Sequence, residues 1–135
     1  MQSIFKKSEA EEQTNFLIYF RAYFAKAKNI DPRLMFHVPN GGARRLTEAR
    51  RMKEQGVTPG VPDLFFAVPR GRKAGLFIEM KTKVGGKVSV DQAQMLAALR
   101  AAGYDAEVAH GADDAREILD EYWRRGEPIE RGEDA

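Results

Sequence analysis

Two short apolar segments joined by a turn-forming loop constrain the fold of this chain most strongly. Residues 62–68 read Pro-Asp-Leu-Phe-Phe-Ala-Val, and residues 76–81 read Leu-Phe-Ile-Glu-Met-Lys. Runs of this length, rich in aromatic and branched side chains, are typical of strands, and the Pro, Gly and basic residues between them favour a hairpin. The sequence therefore predicts two paired strands whose charged residues are Asp63, Glu79 and Lys81.

A hairpin centred near Arg72 would place these three charged side chains on one face of the sheet. In that register Asp63 lies opposite Lys81, and Phe65 lies opposite Glu79. The alternate positions would face the core: Leu64, Phe66, Val68, Leu76, Ile78 and Met80. A slip of one residue would move Asp63 to the other face, so the register is part of the prediction.

Two carboxylates and an amine at one end of a hairpin have a recognisable chemistry. Carboxylate oxygens can hold a hard divalent cation, and a neighbouring lysine can orient or deprotonate a water. The alternative is that Asp63 is a turn residue and that Glu79 and Lys81 are a surface pair. Charges within otherwise apolar strands are costly unless they are paired or bind a metal, which favours a functional site.

The rest of the chain alternates between predicted helices and strands. Ser8 is a suitable N-cap for a helix that reaches about Lys28, with acidic residues in its first turn. Its aromatic residues recur at helical spacing and should face the core: Phe16, Phe20, Tyr23 and Phe24. Further elements are a strand at 33–38, a basic helix at 44–55, a helix at 89–102, a strand at 104–110 and a helix at 112–124.

The connection between the last two strands decides the type of sheet. Because the helix that follows Ser89 links the third strand to the fourth, those two strands should be parallel. The hairpin strands are antiparallel, so the sheet is mixed. The sequence therefore predicts an α/β fold with a mixed four-stranded sheet flanked by helices.

Composition excludes some functions and indicates a polyanionic partner. The chain has no cysteine, which rules out disulfides and thiolate catalysis and fits the reducing cytoplasm. No apolar run is long enough to span a membrane. Residues 33–87 contain twelve basic and four acidic residues, a local net charge of +8. Such a segment can be an ordinary solvated surface, but its position around the carboxylates favours binding to nucleic acid.

The motif and its surroundings resemble the PD-(D/E)xK nuclease superfamily and, more narrowly, small stand-alone phage-type members of the VRR-NUC family. The resemblance is carried by residues 36–42, 55–63, 75–81, 89–92 and 99–104. It implies a restriction-endonuclease-like α-β-β-β-α-β core within a single domain of residues 1–125. Residues 126–135 form an acidic tail that is expected to be disordered.

The resemblance also implies roles for the residues at the hairpin. Asp63 and Glu79 would bind Mg²⁺ or Mn²⁺, with the backbone carbonyl of Met80 as a third ligand. Lys81 would position or activate the attacking water.

The family further places a glutamate on the first helix, followed four residues later by a glutamine. Glu9 and Gln13 fit this spacing, which makes Glu9 a candidate metal ligand. Glu12 lies close to the same helical face and remains a competitor. Gln92 matches the family's glutamine at the start of the helix after the catalytic strands, which makes it a candidate catalytic residue. The alternative is a capping box with Ser89.

The remaining polar residues are assigned to structure or to DNA binding. His37 and His110 are expected to be structural histidines, with a role for His37 as a base as the alternative. Asn40-Gly41-Gly42 is a predicted turn that the resemblance places near the substrate. Phosphate contacts are expected from Asn40, Arg44, Arg45, Arg50, Arg51, Lys53, Lys83 and Lys87. The basic hairpin tip, with Arg70, Arg72 and Lys73, would reach a more distant stretch of DNA or a second protomer.

These observations favour a metal-dependent endonuclease, and the resemblance implies branched or flapped DNA as the substrate and a homodimer as the assembly. A second hypothesis is a DNA-binding module of the same fold that has lost cleavage. A third is a metal-dependent hydrolase of small phosphorylated molecules, which the dense basic segment disfavours.

Overall fold

The computed structural model describes residues 7–39 and 46–126 of the 135-residue chain. The following predictions therefore lie outside the described residues: the turn at 40–42, the phosphate contacts of Asn40, Arg44 and Arg45, and the acidic tail after Gly126.

The first helical segment begins where the sequence predicts. The Ser8 hydroxyl accepts a hydrogen bond from the Glu11 N–H, and helix α1 (Glu9–Tyr19) continues through a π-helical turn (Phe20–Phe24) into α2 (Ala25–Lys28). Asn29 ends it with a left-handed φ of 55°. Phe16, Phe20 and Phe24 are buried in the core, as predicted. The prediction is wrong for Tyr23, which is 68% exposed, because it lies about 100° around the helix from Phe24.

The four strands form one mixed sheet in the order β1-β2-β3-β4. Their bounds are β1 Met35–His37, β2 Leu64–Phe66, β3 Leu76–Lys81 and β4 Asp105–His110. β2 is antiparallel to both β1 and β3, and β3 and β4 are parallel, as predicted. Two strands are shorter than expected, since Pro32–Leu34 forms a 3₁₀ turn before β1 and β2 begins only after Asp63.

Three helices complete the described fold. α3 (Leu46–Glu54) precedes β2, α4 (Val90–Ala101) connects β3 to β4, and α5 (Ala112–Arg125) follows β4. The phenylalanines of the first helical segment pack with Leu119 and Tyr122 of α5 over one face of the sheet. The opposite face carries the rings of Phe65, Phe77 and Tyr104, which contact one another. The α/β prediction is confirmed, and no helix in the described part of the chain is long and apolar enough to cross a membrane.

The hairpin register differs from the predicted one by two residues. Phe65 pairs with Phe77 and Leu64 with Ile78, so one further step places Asp63 opposite Glu79 and not opposite Lys81. At the tip, Arg70 and Lys73 exchange backbone hydrogen bonds around Gly71, whose φ is 57°. A shift of two residues preserves the face of every side chain. The predicted core positions Leu64, Phe66, Leu76, Ile78 and Met80 are therefore buried.

Candidate functional site

Asp63 lies directly before β2, and its side chain extends the hydrogen bonding between β2 and β3. Its carboxylate Oδ2 accepts a hydrogen bond of 2.7 Å from the backbone N–H of Met80. The N–H and C=O of a strand residue point toward the same neighbour. The Met80 carbonyl therefore also faces the side on which Asp63 lies, where a carbonyl ligand would be needed.

Glu79 is a buried carboxylate, with the Lys81 ammonium group 3.9 Å from its Oε2. Its side chain is 3% exposed, and its Oε1 is the one buried side-chain polar atom without a hydrogen-bond partner in residues 7–39 and 46–126. Burial, followed by hydrogen bonding to and repulsion from Asp63, raises the pKa of Glu79 to about 9. Glu9 adds to this rise, while Lys81 opposes it. A bound cation would offset the repulsion between Glu79 and Asp63 and favour the ionised form of Glu79.

Lys81 ends β3 beside the two carboxylates, and its side chain is 10% exposed. Its Nζ lies 3.9 Å from Glu79 Oε2 and 3.9 Å from Glu9 Oε1. The aliphatic part of the side chain is covered by Gly86, where an added Cβ would lie 2.8 Å from Lys81 Cβ. The ammonium group is thus directed into the carboxylate cluster by a close glycine contact.

The structure separates the two candidate glutamates on α1. Glu9 reaches Lys81 and remains half exposed. Glu12 is 1% exposed and lies against Gly111, where an added Cβ would be 2.6 Å from Glu12 Oε2. Gly111 is the N-cap of α5, and the positive end of a helix suits a buried carboxylate. Glu9, and not Glu12, is therefore brought to the charged cluster.

His37 and Gln13 join the site through contacts that the sequence did not reveal. His37 Nδ1 lies 2.8 Å from the backbone oxygen of Asp63, and the side-chain amide of Gln13 lies 3.3 Å from the same ring nitrogen. The pairing of strands could have indicated these contacts. Because β1 is antiparallel to β2, the end of β1 lies close to Asp63. His110 has the expected structural contact, with Nδ1 3.3 Å from the Thr82 carbonyl.

Gln92 forms the capping box that its spacing predicts. Its Oε1 accepts from the Ser89 N–H at 2.9 Å, and its own N–H donates to the Ser89 hydroxyl. The loop before Asp63 packs on this helix start, since a Cβ at Gly60 would overlap the Asp91 carbonyl. A catalytic role for Gln92 stays a prediction.

The predicted DNA-binding residues within the described chain are exposed. Arg50, Arg51 and Lys53 project from α3 into solvent, as does Lys87. Lys83 is exposed and lies 3.8 Å from Asp113. DNA binding by these residues stays a prediction.

Arg70 does not extend freely from the hairpin tip, and that expectation is wrong. Its Nε and Nη2 donate to the Trp123 carbonyl at 3.1 and 2.7 Å, and its guanidinium lies 3.8 Å from the centre of the Trp123 ring. Arg72 and Lys73 are exposed.

The donor set fits a hard cation that keeps several waters. Asp63 and Glu79 offer carboxylate oxygens, and the Glu79 Oε1 atom has no other partner among the described residues. Within that part of the chain, no three His, Cys, Asp or Glu side chains form a group that could hold a metal ion. The side chains would therefore supply only part of the coordination shell, as is usual for Mg²⁺ bound together with a phosphate. Glu9 as a third side-chain ligand stays a prediction.

Comparison with known proteins agrees with this arrangement. The family model of the VRR-NUC domain matches residues 8–113. A solved structure described as a VRR-NUC domain protein is 27% identical, with a TM-score of 0.75, over 91% of this chain and 93% of that one. The comparison with curated proteins gave no match.

Proposed function

Because this chain belongs to the VRR-NUC family, whose members have nuclease domains of the restriction-endonuclease-like type, we propose that it is a Mg²⁺- or Mn²⁺-dependent DNA endonuclease. The observation that carries the proposal is the Glu79 carboxylate, buried beside Asp63. Its Oε1 has no hydrogen-bond partner among the described residues, and its Oε2 lies 3.9 Å from the Lys81 amine. A structural surface pair would not leave a buried carboxylate oxygen without a partner.

Each residue has a distinct part in the proposed hydrolysis. Asp63 and Glu79, with the Met80 carbonyl, would hold the cation. When bound, a divalent cation offsets charge on the scissile phosphate and makes a bound water more acidic. Lys81, held by Glu9 and Glu79 at 3.9 Å, would orient the water for attack on phosphorus. As the water oxygen bonds to phosphorus and the water loses a proton to solvent, the bond from phosphorus to the leaving oxygen would break, and the leaving oxygen would take up a proton from solvent.

The proposed substrate is branched or flapped DNA, bound through its phosphates. Exposed cations on α3 and after β3 suit backbone contacts, which position DNA without reading its sequence. The proposed assembly is a homodimer, since two equivalent sites related by symmetry suit paired cuts in a four-way junction. The absence of cysteine fits a cytoplasmic location.

The test is cleavage of supercoiled plasmid and of a synthetic four-way junction, with Mn²⁺ and with a chelator. We expect cutting only with the cation, and a decrease in rate of at least about 100-fold in Glu79→Ala and Lys81→Ala. Glu9→Ala should also lose activity. Glu11→Ala is the matched control, because Glu11 lies in the same helical turn and is exposed.

Other outcomes would favour the alternatives. Salt-sensitive DNA binding without cutting under any divalent cation would contradict the enzyme and support a DNA-binding module. Equal cutting of plasmid and junction would contradict a preference for branched DNA while leaving the nuclease assignment intact.

A further inference from the structure

His37 donates a hydrogen bond to the backbone of Asp63. The ring nitrogen Nδ1 lies 2.8 Å from the Asp63 carbonyl oxygen, which also accepts from the Val38 N–H at 2.7 Å. A carbonyl oxygen can only accept, so Nδ1 carries a proton in this contact. The two donors fill both lone pairs of that oxygen and tie Asp63 to the end of β1.

Gln13 extends the same network to α1. Its amide nitrogen Nε2 lies 3.3 Å from His37 Nδ1, and because the one proton on Nδ1 is already donated to Asp63, this is a packing contact and not a second hydrogen bond. A connected series of contacts thus runs from Gln13 on α1 through His37 to Asp63, and from the Asp63 carboxylate to the Met80 N–H.

Asp63 has a particular need for such support. It precedes β2, which begins at Leu64, so it lies outside the regular pairing of β2 with β3. Its carboxylate must nevertheless remain at 2.7 Å from the Met80 N–H and beside Glu79. Groups that fix the orientation of a metal-binding carboxylate commonly contribute about 10- to 100-fold to metal affinity or activity.

We propose that His37 is a positioning residue of the cation site, acting through Nδ1 to hold Asp63 in place. The effect of His37 on cation binding rests on the proposed function, because a cation held by Asp63 requires that the Asp63 carboxylate stays in place. It requires only that Nδ1 carries a proton, and it assigns no base chemistry to the ring.

Two amide substitutions separate the two ring nitrogens. Asparagine places its amide near the position of His Nδ1, and glutamine places its amide near the position of Nε2. His37→Asn should therefore keep the bond to Asp63, whereas His37→Gln and His37→Ala should lose it. The glutamine variant is the matched control, because it retains a polar side chain of similar length.

The first measurement needs no metal and no DNA. Hydrogen exchange of the Met80 amide, followed by NMR in the presence of a chelator, reports whether the Asp63 carboxylate stays in place. We expect faster exchange in His37→Ala and His37→Gln, and exchange like that of the wild type in His37→Asn. Equal exchange in all four proteins, or rescue by glutamine and not by asparagine, would overturn the inference.

The second measurement is Mn²⁺ affinity by calorimetry. We expect about tenfold weaker binding in His37→Ala and His37→Gln, with most of the affinity restored in His37→Asn. If the wild type binds no Mn²⁺, the proposed function fails while the exchange result still decides the role of His37. If Mn²⁺ binds equally well to every variant, the role of His37 is refuted and the endonuclease proposal is unaffected.

Discussion

Glu79 is held in an environment that opposes its ionisation. The side chain is buried, its Oε1 has no partner among the described residues, and Asp63 lies beside it. Such an arrangement costs stability and is expected where a site is prepared for a ligand. The sequence predicted charged residues within apolar strands, and therefore a site. It could not reveal the contact between His37 and Asp63, because that contact depends on where β1 ends.

The pH dependence of stability should report this cost in the metal-free protein. In the folded state Glu79 keeps its proton up to a pKa of about 9, against an ordinary value of 4.5. Between these values the folded state binds more protons than the unfolded state, so stability falls as the pH rises. Glu79→Gln cannot ionise, and its melting temperature should fall less between about pH 5 and pH 9. The measurement is thermal unfolding in the presence of a chelator.

Two results would decide this prediction. At about pH 8, Glu79→Gln should be more stable than the wild type. By that pH the wild type has lost most of the stability that it loses between about pH 5 and pH 9, whereas the variant has no ionisable group at this position. Parallel pH profiles for the two proteins would show that Glu79 ionises normally in the fold.

The β2–β3 hairpin shows which features of an element the sequence specifies. The alternation of side chains between the two faces of a strand predicted a common face for Asp63, Glu79 and Lys81, because the side-chain period of a strand is fixed at two. The pairing itself was wrong by two residues, since loop length does not determine where the turn falls. In the structure the turn falls at Gly71, which has a φ of 57°.

The loop after β3 contains two glycines with different structural roles. Gly86 lies against Lys81, where an added Cβ would meet Lys81 Cβ at 2.8 Å. A Cβ added at Gly85 would meet no atom of the described residues within 4 Å, but Gly85 has a φ of +85°. Gly86→Ala should displace the lysine stem and reduce cleavage by about 10- to 100-fold. Gly85→Ala should cost about 1–2 kcal/mol of stability from backbone strain and keep Lys81 in place.

Cleavage rates and unfolding free energies of both variants test this assignment. The expected pattern is a decrease in activity in Gly86→Ala that its stability does not explain, with the opposite pattern in Gly85→Ala. If the activity of both variants falls in proportion to stability, the loop supports the fold and does not specifically position Lys81.

At the scale of the whole molecule, the alternation of helices and strands was enough to predict a mixed sheet flanked by helices. The crossover rule correctly predicted the parallel pairing of β3 and β4. The sequence could not show which basic residues remain free, since that depends on packing between distant elements. Arg70 contacts Trp123 of α5, while the cations of α3 are left exposed.

The exposed cations of α3 should therefore contribute to DNA binding through phosphates. Replacing Arg50, Arg51 and Lys53 together by alanine should weaken binding to duplex DNA. It should also make the dependence of log K on log salt shallower by about 0.9 for each phosphate that the variant no longer neutralises. Fluorescence anisotropy across a salt series, with a chelator to prevent cutting, measures both quantities.

The matched control removes the same charge from another surface. Arg21, Lys26 and Lys28 are exposed on the first helical segment, and Arg21 lies about 18 Å beyond Glu9 along the helix axis. Their triple alanine variant changes the net charge of the protein equally, so it should weaken binding only slightly and keep the salt slope. Equally weakened binding in the two triple variants would mean that DNA responds to overall charge, and α3 would then have no specific part in placing DNA at the carboxylates.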